Sequence, residues 1–200
     1  MQADASVRFF EQQFQRQLRE EAPQLNPFEE LALPHLSGRV LDYGCGLGNL
    51  ALAAARRGCA VLALDASPTA IAHLRQAADQ EGLPIETREA DLTGYTLAAD
   101  FDAVVCIGLL MFLDCDSALR QLAQLQARLR PGGVAVLNVL VEGTTYLDMF
   151  DPLCHCLLGA QRWRERFAGW AIDLFETREY PAPGGTVKSF VTIIAHKPAG

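Results

Sequence analysis

No apolar run in these 200 residues approaches the roughly 20 residues that a membrane-spanning helix needs. The stretch 1–11 lacks a basic segment followed by an apolar one. That excludes the pattern of a secretory signal and leads us to expect a cytoplasmic protein. Positive charge is scarce too: 17 Lys and Arg stand against 24 Asp and Glu, a net charge of −7. Nucleic acid and anionic membranes both need a positive face, so neither is expected as a partner. Cysteine pairs at metal-ligand spacing are also missing. Cys45, Cys59, Cys106, Cys115, Cys154 and Cys156 sit largely in apolar contexts, and free buried thiols are the expectation in a reducing compartment. Cys154-His155-Cys156 invites a metal reading, but residues i and i+2 of a helix point to different sides, so no metal is expected. What remains is a chain that is 50% hydrophobic and long enough for one domain with a substantial core.

The chain is organised around Val40-Leu41-Asp42-Tyr43-Gly44-Cys45-Gly46-Leu47-Gly48-Asn49-Leu50. An apolar strand enters a loop with Gly at every second position, and an Ala-rich helical run follows, Leu50 to Arg57. Strand, glycine turn and helix make the first unit of a nucleotide-binding α/β fold. Glycines there turn tightly and let the backbone approach a ligand. A dinucleotide fingerprint would need Gly at position 49, which is Asn, and a phosphate loop would need Gly-Lys-Ser/Thr, which is absent. Asp42, at the strand end, would repel a pyrophosphate but suits an ammonium or sulfonium.

This acid-x-Gly-x-Gly-x-Gly pattern resembles the first motif of the class I S-adenosylmethionine-dependent methyltransferases. The resemblance implies an α/β fold with a Rossmann-like, doubly wound seven-stranded sheet, mostly parallel with an antiparallel C-terminal hairpin. It also implies S-adenosyl-L-methionine as cofactor, S-adenosyl-L-homocysteine as product, and a first binding set of Asp42, Gly44, Cys45, Gly46 and Gly48. A second buried strand, Ala60 to Asp65, ends in an acid at the interval expected for a residue that binds ribose hydroxyls, with Ala66 beside it. Ser67-Pro68 then starts a helix to about Glu81, stopped by Gly82. Leu83 to Glu89 reads as a third strand. By the resemblance, Asp91 would meet the adenine amino group and Leu92 would flank the ring. Asp100 to Ile107 is a fourth, apolar strand, and Ile107-Gly108 and the run to Leu113 lie where open α/β sheets bind ligands.

The flanks read less distinctly. Ser6 to Glu20 is an amphipathic helix whose Phe9 or Phe10, Phe14 and Leu18 form either a packing stripe or a lid over the cofactor cleft. Pro23, Pro27 and Pro34 break the next segment around a short helix, Phe28 to Leu33. We divide the chain into an N-terminal helical cap, 1–37, and a cofactor-binding unit, 38–200. Ser117 to Leu129 reads as a helix stopped by Arg130-Pro131-Gly132-Gly133, and Val134 to Val141 as a fifth strand. Leu153 to Phe167 looks helical, with Arg162, Arg164 and Arg166 as its solvated face. Ala171 to Arg178 and Thr186 to His196 look like a strand hairpin joined by Tyr180 to Gly185.

Leu110 to Leu113, the Leu-Arg-Pro-Gly-Gly turn, Phe167-Ala168-Gly169-Trp170 and Phe190-Val191-Thr192 resemble the bacterial tellurite-resistance methyltransferases over roughly residues 38–197. That group carries a His-Arg pair near the start of the last hairpin and another Arg after its turn. Here only Arg178 carries over, so a tellurite or selenite substrate does not follow. The chain also lacks the Pro-Pro-aromatic motif of DNA amino-methylating enzymes and the Pro-Cys nucleophile of cytosine C5 enzymes. A small-molecule acceptor is expected, with Phe10, Phe14, Phe112, Tyr146 and Arg178 as candidate substrate residues. Because the sulfonium is already activated, no catalytic base is assigned; Glu142, Tyr146, His155 and Arg178 are the candidates near the mouth. A soft metalloid held by Cys154 or Cys156 with Cys115 is a minority alternative. Two other readings remain: a nicotinamide-dependent oxidoreductase, and a non-catalytic binder on the same fold.

Overall fold

The computed structural model describes residues 5–20 and 24–200; the expected break at Pro23 lies outside them. The strands are β1 (Arg39–Tyr43), β2 (Ala60–Asp65), β3 (Ile85–Glu89), β4 (Phe101–Ile107), β5 (Leu129–Leu140), β6 (Ala171–Ala182) and β7 (Thr186–His196). The helices are α1 (Ala5–Glu20), α2 (Pro27–Ala32), α3 (Asn49–Arg56), α4 (Pro68–Glu81), α5 (Cys115–Ala127) and α6 (Ala160–Glu165). All seven strands join one sheet in the order β3-β2-β1-β4-β5-β7-β6. The first five run parallel, and β7 returns antiparallel between β5 and β6. Parallel strands buried on both faces read as unbroken apolar runs, as Val40–Leu41 and Ala103–Cys106 do. Between β2 and β4 the chain order reverses about β1, and open sheets of this kind bind ligands at that crevice.

The local chemistry explains the helix ends. Ser67 accepts from the Ala70 N–H at 3.0 Å with Pro68 at the first helical position, and Gly82 closes α4 at φ +64. Asn26 and Glu29 form a reciprocal capping box that fixes the start of α2, a signal not read from the sequence. The core lies on both faces of the sheet. One side includes Tyr43, Phe101 and Trp163, and the other is rich in Ala from α3.

Four expectations are corrected. Helix α5 ends at Ala127, and Leu129 already pairs with Phe101, so Arg130–Gly133 becomes an irregular opening to β5 rather than a separate turn. A side chain at Gly133 would meet the Asp102 carbonyl at 2.7 Å, which is why a glycine sits there. The helix expected over 153–167 shrinks to Ala160–Glu165. Ahead of it, the Cys156 N–H donates to the Met111 carbonyl at 2.9 Å and draws the chain across the fold as a loop. Thirdly, the cysteines are not all thiols: Cys115 and Cys156, 41 residues apart in sequence, come to a Cα separation of 4.7 Å and are disulfide-bonded. Cys45, Cys59 and Cys106 are buried thiols. Strand β6 continues to Ala182, beyond the expected Arg178, because Tyr180 and Pro181 still pair with Lys188 and Val187. As an edge strand it tolerates a proline. Among the described residues, no helix is long and apolar enough to cross a membrane.

Candidate active site

The residues that end β1, β2 and β4 open into one cleft of about 1470 Å³. Its floor is the glycine loop. Gly44 and Cys45 donate their N–H groups to the Leu64 carbonyl at 2.8 and 3.0 Å, which folds the loop back onto β2. Gly48 holds φ +79, and a Cβ there would lie 2.5 Å from the Leu74 side chain, so only glycine fits between loop and α4. Asp65 braces the loop from below: one oxygen accepts from Gly46 N–H at 2.8 Å and the other from Ser67 N–H at 2.9 Å.

The electrostatics of this floor are one-sided. Asp42 is buried, and its carboxyl is pushed up to about 8, first by burial and then by the charges of Glu29 and Asp65. Glu29 and Asp65 are themselves raised, each chiefly by burial. None of the three is in an ion pair among the described residues, and Asp42 Oδ2 has no hydrogen-bond partner. Crowded carboxylates without a counter-ion form a receptor for a positive ligand. Glu29 enters because the α2 capping box aims it at the cleft, and the sequence reading missed it.

Further along the cleft, Asp91 holds its own loop by accepting from the Thr93 N–H at 2.9 Å. Behind it Tyr43 donates to the Leu92 carbonyl at 2.9 Å, while Gln121 and Gln124 of α5 bind the Thr93 and Tyr95 carbonyls. These two glutamines fix the 91–95 loop, and an amphipathic helix pattern gave no hint of them. Ala66, Leu92, Ile107 and Gly108 line the cleft, so every residue expected to bind the cofactor faces one space.

Helix α1 lies across the opening. Glu11 accepts from the hydroxyls of Ser67 and Thr69 at the start of α4. Phe14 sits over the loop, close enough that a Cβ on Gly46 would meet its ring at 3.3 Å. Phe10 packs against Phe112 at 4.9 Å, and Phe112 against Phe150 at 4.9 Å. The structure therefore gives both readings of the α1 aromatics a share: they pack, and they roof the cleft.

The expected substrate residues divide. Phe10, Phe14, Phe112 and Tyr146 line the cleft. Arg178 is not among the lining residues; it is on the edge strand, paired with Glu176 at 2.9 Å. Neither Glu142 nor His155 lines the cleft, and His155 Nδ1 is 3.0 Å from the Asp151 carbonyl. Since Cys115 and Cys156 are bonded to each other, they offer no thiolate to a metalloid. Residues missed by sequence reasoning include Phe28, Asn138, Met149, Lys188 and Phe190, which also line the cleft. Their signal lay in tertiary placement, since strand alternation says which face a residue takes but not what covers it. Away from the cleft, at the other end of β7, His35, Asp173 and His196 approach within 4.8 Å of one another; no metal was expected from the sequence.

Residues 40–133 match the family described as "Methyltransferase domain". Hemagglutinin 1 of Eikenella corrodens is 30% identical over 170 residues, 80% of this chain and 55% of that protein. The ubiquinone biosynthesis O-methyltransferase of Methylocella silvestris is 39% identical over 135 residues, 66% of this chain and 48% of that protein. The crystal structure of TehB from Haemophilus influenzae superposes with a TM-score of 0.76 at 20% identity, covering 94% of this chain and 67% of that one. The chain thus spans about half the length of the curated relatives it matches.

Proposed function

We propose that this chain, a class I S-adenosylmethionine-dependent methyltransferase by its match over residues 40–133, transfers a methyl group from its cofactor S-adenosylmethionine to a small-molecule nucleophile. The observation that carries the reading is the unpaired carboxylate set Asp42, Glu29 and Asp65 around the glycine loop. The residues present fit a cationic nucleoside: the acids suit an ammonium and a sulfonium, Asp65 suits a ribose diol, and Asp91 with Leu92 suits an adenine.

When bound, the cofactor supplies an electrophilic methyl carbon that needs no further activation. The protein's work is positioning and exclusion of water. Gly44, Gly46 and Gly48 let the backbone approach the ligand. Phe14 and Phe10 close the roof, and Glu11 ties that roof to α4. Phe112, Met149 and Tyr146 shape the space that an acceptor would enter. A cleft walled by aromatic side chains and crossed by α1 suits a small acceptor better than a macromolecule, which supports a small-molecule substrate. Asn49 in place of the third fingerprint glycine, and Asp42 beside the loop, disfavour a nicotinamide dinucleotide. Titrating S-adenosylhomocysteine into the protein by calorimetry tests the proposal, with NADH as control. Micromolar binding that is lost in Asp65→Ala is expected. No binding by folded protein, or binding of NADH instead, would overturn it.

A further inference from the structure

The chain holds 17 basic residues, and one of them, Lys188 on β7, is a half-buried cation on the cleft wall. Its ammonium lies 4.8 Å from the centroid of the Tyr146 ring. Among the described residues no carboxylate forms an ion pair with it, although six arginines and a histidine of this acidic protein are paired in that way. Burial alone pulls its pKa below the ordinary lysine value, with no neighbouring acid to offset the cost. An ammonium half removed from water without a counter-ion is an anion receptor waiting for its ligand.

The surroundings give the ligand a shape. Thr145 and Tyr146 both donate backbone N–H groups to the Val187 carbonyl, and the Val187 N–H donates to Thr145 Oγ1 at 2.9 Å, so the Tyr146 ring is held beside Lys188. Next along the same face of β7 comes Phe190, whose ring packs on Phe28 at 4.8 Å. Deeper still, Asn138 of β5 pairs with Thr192, four residues past Lys188, or about 13 Å along a strand. Asn138 Nδ2 donates to Thr192 Oγ1 at 2.9 Å, and its buried Oδ1 has no partner. Asn138 is also level with Ile107, beside Gly108 at the end of β4. From mouth to floor the wall therefore offers a cation, an aromatic strip and a lone hydrogen-bond acceptor.

Resting on the methyltransferase reading, we propose that Lys188 anchors the carboxylate of a hydroxyaryl acid, with its ring along Phe190 and its hydroxyl toward Asn138. The charges then sort themselves. The cationic cofactor lies at the acidic floor, and the anionic acceptor is held at the lysine end. In the transfer, the phenol oxygen forms a bond to the methyl carbon. The carbon–sulfur bond breaks with its electron pair staying on sulfur, giving the neutral thioether, and the phenol proton passes to solvent. Lys188 is an anchoring residue and takes no part in that exchange.

The probes are 4-hydroxyphenylacetate and 4-hydroxycinnamate, each against its uncharged primary amide, titrated by calorimetry into protein saturated with S-adenosylhomocysteine. We expect at least one acid to bind tenfold or more tighter than its amide. Lys188→Gln should erase that preference and Lys188→Arg retain it, with S-adenosylhomocysteine affinity unchanged in both variants. If S-adenosylhomocysteine binds but acid and amide bind equally, or neither binds, the anchor is refuted while the methyltransferase reading stands. If Lys188→Gln keeps the preference, the anchor is likewise refuted. Failure of the wild-type protein to bind S-adenosylhomocysteine refutes the methyltransferase reading, and the anchor with it.

Discussion

Replacing Asp42 by Asn removes a buried ionisable group while keeping its shape, and the structure says how stability should respond. In the native protein the carboxyl is raised from an ordinary 3.8 to about 8. Between those values the folded chain holds a proton that the unfolded chain has released. Its stability therefore falls as pH rises through that window, the reverse of a salt-bridged acid. At about 1.4 kcal/mol per pH unit, retaining the proton at pH 7 costs on the order of 4 kcal/mol. Asn has nothing to release, so the variant should not carry this slope. Urea unfolding from pH 4.5 to 7.5 reads the difference. The variant should gain on the wild type steadily with rising pH and lead it by several kcal/mol at pH 7.5. A difference that stays flat with pH, or a wild type that gains on the variant, would refute the burial argument. The same group couples to ligand binding. A cationic ligand favours the ionised carboxylate, so wild-type affinity for the cofactor should rise from pH 6 to 8 with proton release, and the Asn variant should lose both effects.

Gly48→Ala forces a Cβ into the 2.5 Å gap to Leu74 at a positive φ. It should destabilise by at least about 1–2 kcal/mol from the backbone alone and weaken cofactor binding, read by thermal melting and calorimetry. Glu11→Ala removes the carboxylate that holds α1 to Ser67 and Thr69. Loss of about 1–2 kcal/mol of charged hydrogen bonding should speed amide exchange in α1 and weaken S-adenosylhomocysteine binding roughly five- to thirtyfold. An unchanged exchange rate would show that the aromatic contacts alone hold the roof. Reducing Cys115–Cys156 opens a loop spanning 41 residues. By loop entropy it should cost about 3–4 kcal/mol, lowering the melting temperature by about 10 °C in dithiothreitol, and Cys115→Ser should be insensitive to the reductant.

Much of the cofactor half was legible because its signals are local. A glycine at φ +79, a Ser-Pro helix start and an acid at a strand end each solve a backbone problem within a few residues, and pattern reading detects such solutions. Strand order follows for the same reason: apolar runs joined by helical segments leave few ways to build a right-handed parallel sheet. The acceptor half follows no such rule. Lys188 and Asn138 share one cleft because β7 turns back between β5 and β6, and Glu29 reaches Asp42 because α2 docks beside the glycine loop. Cys115 meets Cys156 only when the loop before α6 crosses to Met111. Arg178 shows the converse: the resemblance to the tellurite-resistance methyltransferases suggested a substrate role, yet the fold leaves it on the edge strand against Glu176. Local backbone chemistry thus fixed the elements and the cofactor loop. Burial, pairing and the charge of each cleft wall are sums over distant neighbours, and only the tertiary structure decided them.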